Sequence, residues 1–115
     1  MAFSEFESQI NDAAIAAFMA RRRPPEHIRP RLDLEYEQSG QTFDFVSVYP
    51  GSGKRSQIIR NPIARIKFVR TQDLWLLYWQ RADMKWHQYE PAHQHTTLSS
   101  ALKTIDEDKY CCFWG

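Results

Sequence analysis

Residues 63–89 read IARIKFVRTQDLWLLYWQRADMKWHQY. Apolar and polar side chains alternate here with a period of two, which predicts strands from about Ile63 to Arg70, from Leu74 to Gln80 and from Met84 to Tyr89. The connections are short, so the strands pair as consecutive antiparallel neighbours. With even-length turns at Thr71-Gln72 and around Ala82-Asp83, alternation collects Ala64, Ile66, Phe68, Trp75, Leu77, Trp79 and Trp86 on one face, Trp79 opposite Trp86. The other face carries Arg65, Lys67, Val69, Leu74, Leu76, Tyr78, Lys85, His87 and Tyr89. That mixture is too apolar for free solvent and too charged for a sealed core, so something is expected to cover part of it.

Upstream, Leu32, Leu34 and Tyr36 alternate with Asp33, Glu35 and Glu37, and Ser39-Gly40 supplies a tight turn before Phe43 and Phe45 resume the pattern. This hairpin is predicted to set Tyr36 opposite Phe43, Leu34 opposite Phe45 and Glu35 opposite Asp44. A helix precedes it: Ser4 and Glu7 have the spacing of a reciprocal cap, and Phe6, Ile10, Ala13, Ala14, Ala17 and Phe18 recur as an apolar stripe. Arg21, Arg22 and Arg23 suit the negative end of that helix, and Pro24-Pro25 stops it. At the other end, Thr97 caps a helix whose stripe is Leu98, Ala101, Leu102 and Ile105, before the acidic run 106–108. Cys111, Cys112, Phe113 and Trp114 are too apolar to leave loose and are expected to tuck against the sheet. The predicted architecture is one α+β domain over residues 1–115: helix, five-stranded antiparallel meander, helix, with both helices on one sheet face.

At 115 residues and 43% hydrophobic, the chain can build one modest core. Fifteen Lys and Arg against fourteen Asp and Glu leave a net charge of +1, which excludes a strong pull of the whole molecule on nucleic acid or anionic lipid. The charge is unevenly placed: residues 32–53 hold four acids and no base, whereas residues 54–85 hold eight bases against Asp73 and Asp83. The two cysteines are adjacent, a separation that bridges poorly, so a reducing compartment is expected. No leader-like pattern or membrane-length apolar run is present, and the expectation is a cytoplasmic protein that does not enter the membrane.

The run Trp75-Leu76-Leu77-Tyr78-Trp79, the segment from Asp83 to Tyr89 and the ending Cys112-Phe113-Trp114-Gly115 resemble the small bacterial proteins grouped as domain of unknown function 3024. The likeness is close over about residues 60–115 and looser before them. It implies a bacterial, cytoplasmic origin and carries no activity, cofactor or catalytic residue with it.

Several residue sets have side chains that could carry chemistry. Gly51-Ser52-Gly53-Lys54 has one residue between its glycines and Arg55 after the lysine, so it reads as a turn and not a phosphate loop. His93 and His95, with His87 or the cysteine pair, lack the paired spacing of zinc sites, and no metal or cofactor is expected. Asp83, His87 and Glu90 could improvise acid–base chemistry, but no serine or cysteine stands in a nucleophile context, so no catalytic residue is assigned. The leading expectation is a non-catalytic module that binds single-stranded nucleic acid through Arg65, Lys67, Tyr78, Lys85, His87 and Tyr89, cations following phosphates and rings stacking on bases. The competing expectation is a homodimer or other protein contact through Val69, Leu74, Leu76, Tyr78 and Tyr89 on the same face. Asp44 and Glu35 on the neighbouring hairpin could neutralise Arg65 and Lys67 across strands.

Overall fold

The computed structural model describes residues 3–52 and 57–114. The order is helix α1 (Glu5–Arg22), strands β1 (Asp33–Ser39), β2 (Thr42–Pro50), β3 (Ile58–Val69), β4 (Leu74–Gln80) and β5 (Trp86–Gln88), a short 3-10 turn (Glu90–Ala92), strand β6 (Gln94–His95) and helix α2 (Leu98–Glu107). The first five strands are sequential antiparallel neighbours, and β6 lies in line with β5, also paired to β4. The sequence signals thus recover the fold, apart from β6, whose two residues are too few to show a period. The glycine turn after β2 falls partly on residues 53–56, which lie outside the described residues.

Both helices cover the same face. Phe18 of α1 meets Phe45 of β2 edge-on at 5.0 Å, and α2 buries Leu98, Ala101, Leu102 and Ile105, the stripe expected of it. The reciprocal cap at Ser4 and Glu7 forms, with amide bonds of 2.8 and 3.1 Å. The buried stripe of α1, however, is Asn11, Ile15 and Phe18, while Phe6 and Ile10 are exposed. The polar Asn11 at the head of the true stripe disguised it. The arginine run does more than cap α1. Arg21 and Arg22 grip Asp106 at the end of α2, and Arg23 grips Asp33 at the start of β1. The tail returns from Cys112 onward, whereas Cys111, expected to tuck in with it, is exposed. The Asp108 carboxylate accepts the amides of Cys112, Phe113 and Trp114, Phe113 is buried, and the Trp114 indole donates to the Ile105 carbonyl at 2.8 Å. No helix among the described residues is long and apolar enough to cross a membrane.

Three registers decide which side chains share a face. In the β1–β2 hairpin the turn is Gly40-Gln41, with Gly40 at φ +59°, so Tyr36 pairs with Phe45, Leu34 with Ser47 and Glu37 with Asp44. The shift from the expected pairing is two residues, which keeps every side chain on its face. The β3–β4 turn has an even length, and Ile66–Leu77 and Phe68–Trp75 pair across the core side as predicted. The β4–β5 turn does not. The Met84 amide donates to the Arg81 carbonyl at 2.9 Å, the Arg81 amide donates to Lys85, and Met84 sits at φ +65°. This is a three-residue loop ending in a left-handed position, which adds one residue to the count. Trp79 therefore pairs with His87 and Gln80 with Trp86. Trp86 moves to the open face, and Tyr89, expected there, turns inward to 2% exposure against Phe113. Met84 occupies a position that glycine normally fills, so no residue type in the sequence announced the loop.

β3 also begins earlier than expected, at Ile58, because a bulge between Phe45 and Val46 lets Pro62 join the strand. Ile63 is the extra, unpaired residue of the bulge, and it and its neighbour Ala64 are both buried.

Candidate functional site

No described element packs on the sheet face opposite the helices. Across the row Glu37, Asp44, Arg65, Tyr78 and Gln88, side chains from all five strands of the meander meet on it. Arg65 is held by Asp44 in a two-pronged ion pair, Nε to Oδ1 at 2.7 Å and Nη2 to Oδ2 at 2.8 Å, and its guanidinium lies 4.6 Å from the centre of the Trp86 ring. That bidentate bond from Asp44 raises the Arg65 pKa, fixing its charge. Arg60 bridges Glu35, at 2.9 Å, and Glu37. The neutralisation expected of the hairpin carboxylates is thus real for Arg65. Glu35, though, binds Arg60 and not Lys67, because the two-residue register shift carries it toward the far end of β3.

Lys67 and Lys85 are exposed and have no ion-pair partner among the described residues. Val69, Leu74, Leu76 and Tyr78 are all half-buried, forming a continuous apolar strip beside Arg65 and Trp86. Of the nucleic-acid residues expected from the sequence, Arg65, Lys67 and Tyr78 share the open face, Lys85 lies in the β4–β5 loop, and His87 and Tyr89 belong to the other side. Tyr89 is accordingly removed from both expected surface sets. Burial also raises the pKa of its phenol.

A cleft of about 610 Å³ runs along β5. Its walls include Tyr78, Trp86 and Gln88 from the open face and Trp79, His87 and Cys112 from the helix side, so it follows the edge of the sheet. Arg81 enters it with its guanidinium 5.7 Å from the Trp79 ring centre, and Glu90 lines its other end. Sequence reasoning missed Arg81, Trp86 and Cys112 as wall residues. The first two depend on the loop parity, and Cys112 depends on where the tail docks.

The acid–base set weighed from the sequence is partly assembled. His87 Nε2 and Asp83 Oδ2 are 2.8 Å apart, and two bonds, from the Lys85 amide and then from His87, lower the Asp83 pKa. Cys112 shares the cleft, but burial pushes its thiol pKa up, away from the reactive thiolate. His95 has both ring nitrogens engaged, Nδ1 with the Ser100 hydroxyl at 2.8 Å and Nε2 donating to the Ala92 carbonyl at 2.7 Å. It is thereby turned from the ligand role considered with His93. Among the described residues no three His, Cys, Asp or Glu side chains gather as a metal site.

These features define a two-layer α+β domain in which two helices back a meander sheet and the opposite face stays open. The chain belongs to the family described as domain of unknown function DUF3024, whose model matches residues 3–115. The match includes the N-terminal half, where the aromatic motifs are sparse. No curated protein and no solved structure matches the chain.

Proposed function

We propose that this chain is a non-catalytic protein-interaction module that associates with a second copy of itself through its open sheet face. The observation that carries the reading is the pairing of the face's own charges. Glu35, Glu37 and Asp44 answer Arg60 and Arg65, so this surface has little cationic field left to follow a phosphate backbone. What stays available is Trp86 and Tyr78 beside a leucine strip, aromatic anchors of the kind that dominate protein-binding energetics. A face with nearly balanced charge meets its own copy without strong repulsion, and a two-fold dimer is the commonest closed assembly.

Sedimentation equilibrium across a wide concentration range tests this. The wild-type chain should shift from monomer to dimer as concentration rises, and Leu76→Glu should remain a folded monomer. Lys85→Glu, in the β4–β5 loop, should dimerise nearly unchanged, whereas Lys67→Glu, directly across from Leu76, should weaken the dimer. Fluorescence anisotropy with a single-stranded oligonucleotide provides the opposing outcome. A monomer at all concentrations that binds the oligonucleotide at low salt, releases it as salt rises, and fails to bind after the lysine changes would establish nucleic-acid recognition through Lys67 and Lys85 instead.

A further inference from the structure

The two edges of the sheet are protected to different degrees. β1 presents seven residues carrying Asp33, Glu35 and Glu37, and rows of charge on an edge discourage strand addition. β5 has no such charges: its residues are Trp86, His87 and Gln88. The Tyr89 amide donates to Leu77 of β4 at 2.9 Å, so by strand alternation the backbone of His87 also faces β4, while that of Trp86 and Gln88 faces outward. Each of those two residues therefore offers one N–H and one C=O to an incoming chain. The 610 Å³ cleft follows the same edge on both faces. An added strand needs this combination, since its backbone takes the edge hydrogen bonds and its side chains alternate to either side.

Charge indicates what kind of strand fits. Arg81 lies in the cleft near the start of β5, is exposed, and makes no close ion pair among the described residues, its charge acting on the Asp83 carboxylate from a distance, with Lys85 beside it in the loop. Glu90 lines the cleft past the end of β5. We propose that the β5 edge binds an extended peptide segment of another protein, one with an acidic side chain at the Arg81 end and a basic one at the Glu90 end. Backbone pairing supplies the generic attraction, and Trp79 and Trp86 flank the two faces along which its side chains lie. This edge site shares Tyr78 and Trp86 with the open face but does not require association through it.

Selection of seven-residue peptides from a display library against the full-length chain tests the proposal, followed by anisotropy measurements on labelled copies of the winners. The enriched peptides should be rich in strand-forming residues, with Asp or Glu toward one end and Lys or Arg toward the other. Gln88→Pro removes an outward amide but no bond to β4, so the variant should keep its fold and lose about tenfold or more in affinity. Arg81→Glu with Glu90→Arg should reverse the preferred charge order. N-methylation of alternate peptide amides gives a second readout that leaves the protein untouched, and only one of the two alternating sets should abolish binding. Failure to enrich any peptide, binding indifferent to which amides are methylated, or a folded Gln88→Pro that binds like wild type would overturn the proposal. Measured at concentrations where sedimentation shows a monomer, these results do not depend on dimerisation and leave the open-face reading to its own test.

Discussion

The β4–β5 loop makes a prediction that separates two tyrosines eleven residues apart in sequence. An even turn places Tyr78 and Tyr89 together on the open face, whereas the observed loop leaves Tyr78 half-buried there and drives Tyr89 to 2% exposure, its ring 4.9 Å from that of Phe113. A buried aromatic side chain removes roughly 150–250 Å² from water, worth roughly 4–6 kcal/mol at about 25 cal/mol per Å². Large-to-small replacement of such a residue costs about 3–5 kcal/mol, in line with that area. For a chain of 115 residues, an unfolding entropy near 2 cal/mol/K per residue makes 1 kcal/mol equal to about 4 °C. Tyr89→Ala should therefore lower Tm by roughly 12–20 °C, and Tyr78→Ala by about 4 °C or less. Circular dichroism followed through thermal and urea unfolding measures both, with the urea slope reporting any change in cooperativity. Equal losses for the two variants, or a Tyr89→Ala protein as stable as wild type, would refute the loop parity and with it the assignment of both β5 faces.

Two further perturbations probe the same architecture. Met84→Gly should raise Tm by about 2–4 °C, because the left-handed backbone at φ +65° costs a side chain more than glycine's extra unfolded-state freedom takes back; a lower Tm contradicts the loop geometry. Burial lowers the His95 pKa from its usual 6.5, so the native state binds fewer protons than the unfolded one. Its contribution to stability is then complete above about pH 6.5 and is lost as pH falls through the lowered native value. Urea unfolding between about pH 7.5 and 5.5 should show wild type losing more stability than His95→Gln, since the paired carboxylates Glu7, Asp33 and Asp83 are held below the usual carboxylate range and titrate at lower pH. Parallel pH profiles would remove His95 from the account.

Local chemistry in the sequence was enough to determine most elements of this protein. The Ser4–Glu7 cap, the stripe Leu98, Ala101, Leu102 and Ile105, and the alternation from Ala64 to Trp79 each concern neighbours within a turn or a hairpin, where spacing alone fixes which side chains meet. The pairing of Asp44 with Arg65 was legible as well, because the outward acids of the hairpin neighbour the bases of β3. Tertiary structure decided the rest. A non-glycine residue in a left-handed loop changed a count by one, and since side chains in a strand alternate with period two, that single residue exchanged Trp86 for Tyr89 between solvent and core. The stripe through Asn11, the partners of Arg21, Arg22 and Arg23 on elements distant in sequence, and the cleft that joins Arg81 to Cys112 all arise from contacts between segments that no local period records. The site is harder to read than the fold because it lies where those long-range choices meet, at the end of the meander and against the returning tail.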